Sequence, residues 1–216
     1  MSVAVGPEAS DASRLALDGG PLSFNNPQVK LANENHLVVS PYTEGPHLLD
    51  LESYSQPVKL LAKALTVLSP VRPDYATASY VESFNWDQVV ETLRQAAAND
   101  DFQWEKQSFY VVAFRSRIPR TTNYEDLARL DLEAHMEATK SGGLLKYWFG
   151  LPDADGRNLA TCVWREREDA RRGGTGEGHQ RAMRATRGLY AEWALERFRF
   201  TIEDGALQWE MIDWTD

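Results

Sequence analysis

The sequence predicts an α+β fold: a ferredoxin-like split βαβ arrangement with an antiparallel sheet, preceded by an N-terminal helical and extended elaboration. Three observations lead there. From residue 108 the hydrophobic patterning runs β-α-β-β-α-β-β, the split βαβ order with one added edge strand. The two helices of that run each carry an apolar side, so each has a face to bury against a sheet. The 216 residues are 43% hydrophobic, with 7 Trp, 8 Tyr and 8 Phe, enough apolar material for one principal core.

Residues 1–35 mix Gly, Pro, Ser, Asn and Asp without a sustained period and read as a disordered or draped arm. Residues 36–105 form the elaboration. Within it SQPVKLLAKALTVLSPVRP holds a short helix ended by Pro70 and Pro73, and FNWDQVVETLRQAAAND holds a helix over about 86–98 with Asn85 placed to cap it. Residues 106–216 carry the α+β domain. SFYVVAFRSR (108–117) is β-rich and stops before Pro119, and TTNYEDLARLDLEAHMEATKSGG is a helix from a capping Thr or Asn to the Gly142-Gly143 pair. LLKYWFG and NLATCVWR flank the turn PDADGR, a helical stretch follows, and LERFRFTIEDGALQWEMIDW reads as two strands around Asp204-Gly205.

Helices on one face of such a sheet leave the other face to be covered. A second subunit, closing two sheets into a shared barrel, is a frequent solution, so the predicted type is the dimeric α+β barrel and the expected partner a second copy of the chain. The small-molecule pocket of this architecture lies between sheet and helices.

Composition excludes several classes. A net charge of −9 and a pI near 5.0 make the chain a poor candidate for duplex nucleic acid, whose affinity rests on phosphate neutralisation. No apolar run approaches the roughly 20 residues of a membrane span. The N-terminal residues have neither a secretory signal nor an Arg-rich transit pattern, and a single cysteine rules out an internal disulfide, so the expected home is cytoplasmic or nuclear.

The candidate chemistry sits on the helices. On the helix 123–141, Asp131 and His135 fall in the middle of the side marked by Tyr124, Leu127, Ala128, Ala134 and Ala138. A carboxylate one turn from an imidazole orients the ring and raises its pKa, which suits a general base near neutrality. The alternative is a pair satisfied by each other or by nearby backbone. On a second helix, read over 179–192, His179 projects onto the side of Ala182, Ala185, Leu189 and Trp193, with Met183 and Tyr190 at its edge. Tyr110, Tyr147 or Trp148, and Trp164 come from strands whose facing the alternation leaves open. Cys162, mid-strand, reads as a small buried hydrophobe. Four histidines without HxH or HExxH spacing give no dedicated metal site, and a lone axial haem ligand at His135 or His179 stays as an alternative.

The most motif-like stretch is GGTGEGHQRAMR (173–184). Gly173, Gly174, Gly176 and Gly178 match neither a Walker loop nor a dinucleotide fingerprint, and the helical segment REREDARR precedes them where a strand would be required. They read as a flexible joint using glycine's positive φ, able to carry His179 over a pocket.

The strings SGGLLKYWFGLPDADGRNLATCVW, REDARRGGTGEGHQRAMRATRGLYAEW and LERFRFTIEDGALQWE resemble an uncharacterised, mainly fungal protein family (UPF0643-like) over roughly residues 75–214. The resemblance implies membership and no activity. More loosely, the topology is similar to the dimeric α+β barrel superfamily of cofactor-free monooxygenases, isomerases, cyclases and lyases, stress-response proteins and haem-dependent dehydratases, an analogy at fold level. The functional expectation is a cofactor-free enzyme of fungal secondary metabolism, acting on a small apolar or aromatic molecule. His135, oriented by Asp131, moves a proton; His179 or Tyr190 donates; Tyr110, Tyr124, Tyr147, Trp148, Trp164, Met183 and Tyr190 line the pocket. A haem protein and a non-catalytic binding module are the competing expectations.

Overall fold

The computed structural model describes residues 31–215; the greater part of the expected N-terminal arm lies outside them. A five-stranded antiparallel sheet is the centre of the molecule. Its strands are β4 (Gln107–Arg117), β5 (Leu144–Phe149), β6 (Arg157–Trp164), β7 (Glu192–Ile202) and β8 (Trp209–Asp213), in the order β5-β6-β4-β7-β8. Helix α4 (Tyr124–Ser141) joins β4 to β5, and α5 (Arg167–Gly173) with α6 (Glu177–Leu189) joins β6 to β7. This is the predicted split βαβ order, with β8 as the added edge strand.

The elaboration contributes a small sheet of β1 (Leu31–Asn33), β2 (His36–Leu37) and β3 (Leu49–Asp50), then α1 (Gln56–Ala64), α2 (Tyr80–Ser83) and α3 (Trp86–Asn99). Its helices are the second cover of the main sheet. Leu60 and Leu61 of α1 and Val89 and Leu93 of α3 share one buried cluster with Val111 and Ala113 of β4, Leu159 and Val163 of β6 and Phe200 of β7. Each fully buried leucine there contributes roughly 2 kcal/mol. Specific bonds fasten the layer as well. The Arg115 guanidinium, on the same sheet face, donates to the carbonyls of Tyr75, Ala76 and Ala78, and the Tyr80 ring stacks on Phe198 at 4.8 Å while its hydroxyl meets that of Thr161 at 2.6 Å. The sheet face whose exposure motivated a second subunit is therefore covered from within the chain.

Local predictions resolve in physical terms. Asn123 caps α4, accepting from the Glu125 backbone N–H at 3.0 Å. Asn85 makes no side-chain cap on α3; its amide accepts from Ser69 N–H and donates to the Val67 carbonyl, so it fastens the preceding loop instead. Gly205 sits at φ +68 in the predicted β7–β8 turn. The second helix of the domain ends earlier than its apolar pattern suggests. Tyr190 is the residue after α6, and Trp193 lies in β7, because the strand pairing Arg117↔Glu192 begins there and tertiary pairing overrides helical periodicity.

The glycine joint has a different basis from the one predicted. The positive-φ glycines among the described residues are Gly142, Gly143, Gly156 and Gly205, and none belongs to residues 173–178. There, space is the constraint: a Cβ on Gly173 would stand 2.5 Å from the Trp164 ring, and one on Gly176 2.2 Å from the Glu137 carboxylate. That carboxylate, reaching across from α4, accepts from the backbone N–H groups of Gly178 and His179 at 2.8 and 2.9 Å. The anion-seeking N-terminus of α6 is thus served by the chain's own carboxylate, and these two hydrogen bonds hold Glu137 below the usual carboxylate range.

Candidate active site

The two sides of the main sheet are closed to different degrees. On β6, which has a strand on either side, Leu159, Thr161 and Val163 face the α1–α3 layer and are 0, 1 and 0% exposed. Ala160 and Cys162 face α4 and remain partly exposed. The same contrast holds on β4, where Val111 and Ala113 are fully buried while Val112 and Phe114 are not. Helix α4 explains it. Ala134, His135 and Ala138 in its C-terminal half are buried, whereas Leu127, Ala128 and Asp131 nearer its start are only half-buried. The helix is thus buried more deeply at its C-terminal end than near its start, and Val112, Phe114, Ala160 and Cys162 on the sheet face towards it stay partly exposed.

Asp131 lies on α4 where the two halves meet. Its carboxylate accepts a hydrogen bond from the Tyr147 hydroxyl of β5 and another from the Tyr42 hydroxyl of the β2–β3 connection, each at 2.5 Å. Burial raises the Asp131 pKa, and the two phenols oppose that rise. Its charge in turn adds to burial in pushing the Cys162 thiol up to about 12 and in raising the Tyr190 hydroxyl above its ordinary value. The thiol is therefore protonated near neutrality, in keeping with a packing role. Tyr190 stands 5.3 Å, ring to ring, from Phe114 of β4.

His135 is one helical turn further in, and its partners differ from the predicted one. Its Nδ1 meets the Nδ1 of His47 at 2.8 Å, so one ring donates and the other accepts, and the Thr139 hydroxyl lies 3.4 Å away. The rings of Tyr42, His47 and Tyr147 surround it at 5.1, 5.0 and 5.2 Å. Its Nε2 is buried without a hydrogen-bond partner. Burial, and secondarily His47, lowers its pKa to about 3, and burial lowers that of His47 too. The i,i+4 spacing does put Asp131 and His135 on one side of the helix, but the carboxylate is held by tyrosines and the imidazole by another imidazole.

The remaining candidates divide. Tyr147 bonds Asp131 directly, and Tyr190 packs on Phe114 and feels the Asp131 charge. Tyr110 and Trp164 are buried at the closed end, Tyr110 with its ring 4.9 Å from Trp214. Trp148 faces the other way, edge-on to Tyr75 and Phe84 at 5.3 and 5.0 Å in the α1–α3 core, since it alternates with Tyr147 along β5. Tyr124 and Met183 are 41 and 43% exposed on the helix surfaces. His179 is half-buried in the α5–α6 joint, clamped through its backbone by Glu137, with its pKa lowered by burial. No hydrogen bond or ring contact links it to His135 among the described residues.

Tyr42 and His47 are the members that sequence reasoning missed. They lie in SPYTEGPHLL, a proline-interrupted stretch with no periodic face, and only their return over α4 makes them part of a site. The residues at His135 do not fit a haem: a coordinating imidazole needs an open hemisphere beyond its free nitrogen, and this Nε2 is buried within the protein. Among the described residues no group of three or more His, Cys, Asp or Glu is placed to hold a metal ion, and no helix is long and apolar enough to cross a membrane.

Comparison with known proteins places the chain. Residues 38–213 match the model of the PB2B2.08-like family. UPF0643 protein PB2B2.08 of Schizosaccharomyces pombe is 36% identical over 185 residues, covering 82% of this chain and 83% of that protein. Among solved structures, SnoaB, a cofactor-independent oxygenase from Streptomyces nogalater, aligns with a TM-score of 0.32 at 16% identity over 43% of this chain and 91% of its own. A protein of antibiotic biosynthesis monooxygenase type from Nitrosomonas europaea aligns at 0.35 and 12% identity over 49 and 89%. At such TM-scores the fold assignment rests on the strand order itself, whereas the long match at the sequence level is decisive for kinship: the chain belongs to the PB2B2.08-like family of UPF0643 proteins.

Proposed function

We propose that this protein is a small-molecule enzyme of proton-transfer type, binding an apolar or aromatic substrate with an acidic hydroxyl or activated C–H group between the N-terminal half of α4 and the sheet. The observation that carries the reading is Asp131: a carboxylate of raised pKa, half-buried on the sheet side of α4 and held in one orientation by Tyr42 and Tyr147. A general base works best when its pKa is drawn toward the operating pH and its geometry is fixed. Asp131 meets both conditions better than His135, which burial makes a weak base. The acid–base role therefore moves to Asp131, with Tyr42 and Tyr147 positioning it and His135 supporting from behind through the shared Tyr42 and Tyr147 rings. Proton abstraction of this kind opens isomerisation, cyclisation, dehydration or oxygen insertion, the repertoire of a tailoring step in secondary metabolism. A cytoplasmic site of action goes with the reading, and the expected homodimer requires an interface other than the face that α1 and α3 occupy.

The test uses phenols of graded acidity and β-dicarbonyl compounds. Those that raise the melting temperature are titrated into the protein while the phenolate or enolate absorbance is recorded. Ionisation of the bound molecule at a pH below its free pKa, abolished in Asp131→Asn with binding retained, is the expected result. Binding without ionisation would favour a non-catalytic ligand-binding module, a reading supported by His135 being only 4% exposed. Absence of saturable binding for every compound at millimolar concentration would remove both.

A further inference from the structure

The outer edge of β7 is only half paired. β8 is matched to Phe198–Ile202, and one more bond, from the Trp214 N–H to the Arg197 carbonyl at 2.8 Å, ends the contact. From Glu192 to Glu196 the strand has β4 on one side and, among the described residues, no strand on the other. Because Arg197 turns its backbone outward to Trp214, the antiparallel alternation turns the backbone groups of Leu195 and Trp193 outward as well. Such an edge is a template for another extended chain, and proteins commonly guard it with Lys, Pro or a bulge. The sequence EWALER has neither Lys nor Pro, and its pairing with β4 shows no register shift.

Alternation along β7 also sorts its side chains. Glu192 and Glu196 lie on the α1–α3 side, where Glu192 bonds Arg117 at 2.8 Å and Glu196 bonds Arg115 at 2.6 Å. Trp193, Leu195 and Arg197 lie on the other side, opposite Ser116, Phe114 and Val112. Trp193 is 44% and Leu195 38% exposed, and Arg197 is exposed as well, with no ion-pair partner among the described residues. Arg199 follows on the same face with its guanidinium 4.8 Å from the Trp214 ring centre. Of the carboxylates on β7 and β8, the register puts Glu210 alone on this face, at the far end beside Thr201. The open edge therefore shows an indole, a leucine and an uncompensated guanidinium, within a chain whose net charge is −9. Trp and Arg are the side chains that most often carry the energy of protein–protein contacts.

We infer that the Glu192–Arg197 edge of β7 receives an extended acidic segment of a partner protein. The segment adds a strand through the outward backbone of Trp193 and Leu195, and the side chains of one of its faces, two residues apart, set two apolar groups on Trp193 and Leu195 and a carboxylate on Arg197. Charge complementarity selects such a segment over a second copy of the chain, whose matching edge brings Arg197 and Arg199 of its own. The strip is also far shorter than the roughly 20–30 residues a side of a stable contact between globular surfaces. The surface is independent of the reaction proposed at Asp131.

The probe is a fluorescein-labelled synthetic peptide, Thr-Leu-Thr-Leu-Thr-Asp-Thr, followed by anisotropy. It should bind saturably and more weakly as salt is raised. Lysine in place of its aspartate, or N-methylation of its backbone, should abolish binding. Arg197→Glu should weaken binding by about tenfold or more, and Trp193→Thr should weaken it with the thermal melt retained. Amide exchange at Trp193 and Leu195 should slow when the probe is bound, a change that an unspecific charge contact would not produce. Asp131→Asn should leave the affinity unchanged, so the fate of this inference is read apart from that of the proposed reaction. No saturable binding at millimolar concentration, equal binding of the lysine probe, or indifference to Arg197→Glu would each overturn it. So would a dimer in sedimentation that Leu195→Glu dissolves, which assigns the edge to a second copy; binding to phosphatidylserine–phosphatidylcholine vesicles that Arg197→Glu removes, which assigns it to a membrane surface; or displacement of the probe by a peptide of residues 1–30, which assigns it to the chain's own N-terminal segment.

Discussion

Acid should loosen this protein through His135. The ring is 4% exposed, and burial with its His47 neighbour sets its pKa near 3 in place of 6.5. The unfolded chain regains the ordinary value, so between these limits the unfolded state binds a proton that the native state does not. Stability therefore falls as pH falls through that window. From pH 7 to pH 5 one such imidazole accounts for about 2 kcal/mol, and the slope approaches about 1.4 kcal/mol per pH unit at lower pH. His47, also lowered, works in the same direction. Asp131, with its pKa raised, works in the opposite one, since the native state holds that proton to higher pH; it is common to wild type and variant and cancels in their comparison. The assay is urea denaturation followed by tryptophan fluorescence at pH 7 and pH 5, for wild type and His135→Gln. Wild type should lose about 2 kcal/mol more than the variant over this interval, whatever the variant's stability at pH 7. Equal losses, or an NMR titration of the His135 ring with its midpoint between pH 6 and 7, would refute the assignment of a buried neutral imidazole.

Tyr147→Phe leaves Asp131 with one phenol, should cost about 1–2 kcal/mol in chemical denaturation, and should raise the Asp131 pKa further, measurable by NMR of the carboxyl carbon. Glu137→Ala removes the carboxylate that serves two N–H groups of α6 and should cost about 1 kcal/mol with faster amide exchange in Gly178 and His179; since its pKa is lowered in the native state, the difference from wild type should vanish as the pH is taken below that value. Gly143→Ala combines φ +87 with a Cβ 2.3 Å from Asp169, itself fully buried and held by Arg165 and Arg172, and should destabilise by more than about 1 kcal/mol; a thermal melt as high as wild type would contradict the geometry. Leu93→Ala should cost about 2–5 kcal/mol, and unchanged stability would mean that α3 is dispensable as a cover of the sheet.

Much of the architecture was legible because it depends on short-range periodicity. Strand alternation in SFYVVAFRSR, the 3.6-residue stripe of α4 and the Asp204-Gly205 turn each declare their element locally, and the order of elements then admits few topologies. The boundary of α6 was misread where local and tertiary preferences conflict: Tyr190 and Trp193 continue a helical stripe, yet pairing with β4 takes residue 192 onward into the sheet. The cover of the second sheet face was open in the sequence, because an apolar strand face states that it must be buried and not by what.

The site shows the same division. That Asp131 and His135 share a helix side follows from spacing alone, and so does the proximity of both to Tyr147 once β5 is adjacent. Which group each one bonds does not, because Tyr42 and His47 lie 89 and 88 residues away in the chain, and a polar group's partner is settled by whichever donor the fold delivers within 3 Å, not by its neighbours in sequence. The 173–178 glycines make the point from the other side. Their number announced a special backbone, while only the packed structure shows that Trp164 and a carboxylate from α4 need the room a Cβ would take. By itself, then, the sequence determined which elements form and which faces they bury, since those follow from period and hydrophobicity; the tertiary structure alone decided how deeply each half of α4 is buried and which carboxylate, phenol and imidazole meet there, since those depend on contacts between residues the chain separates widely.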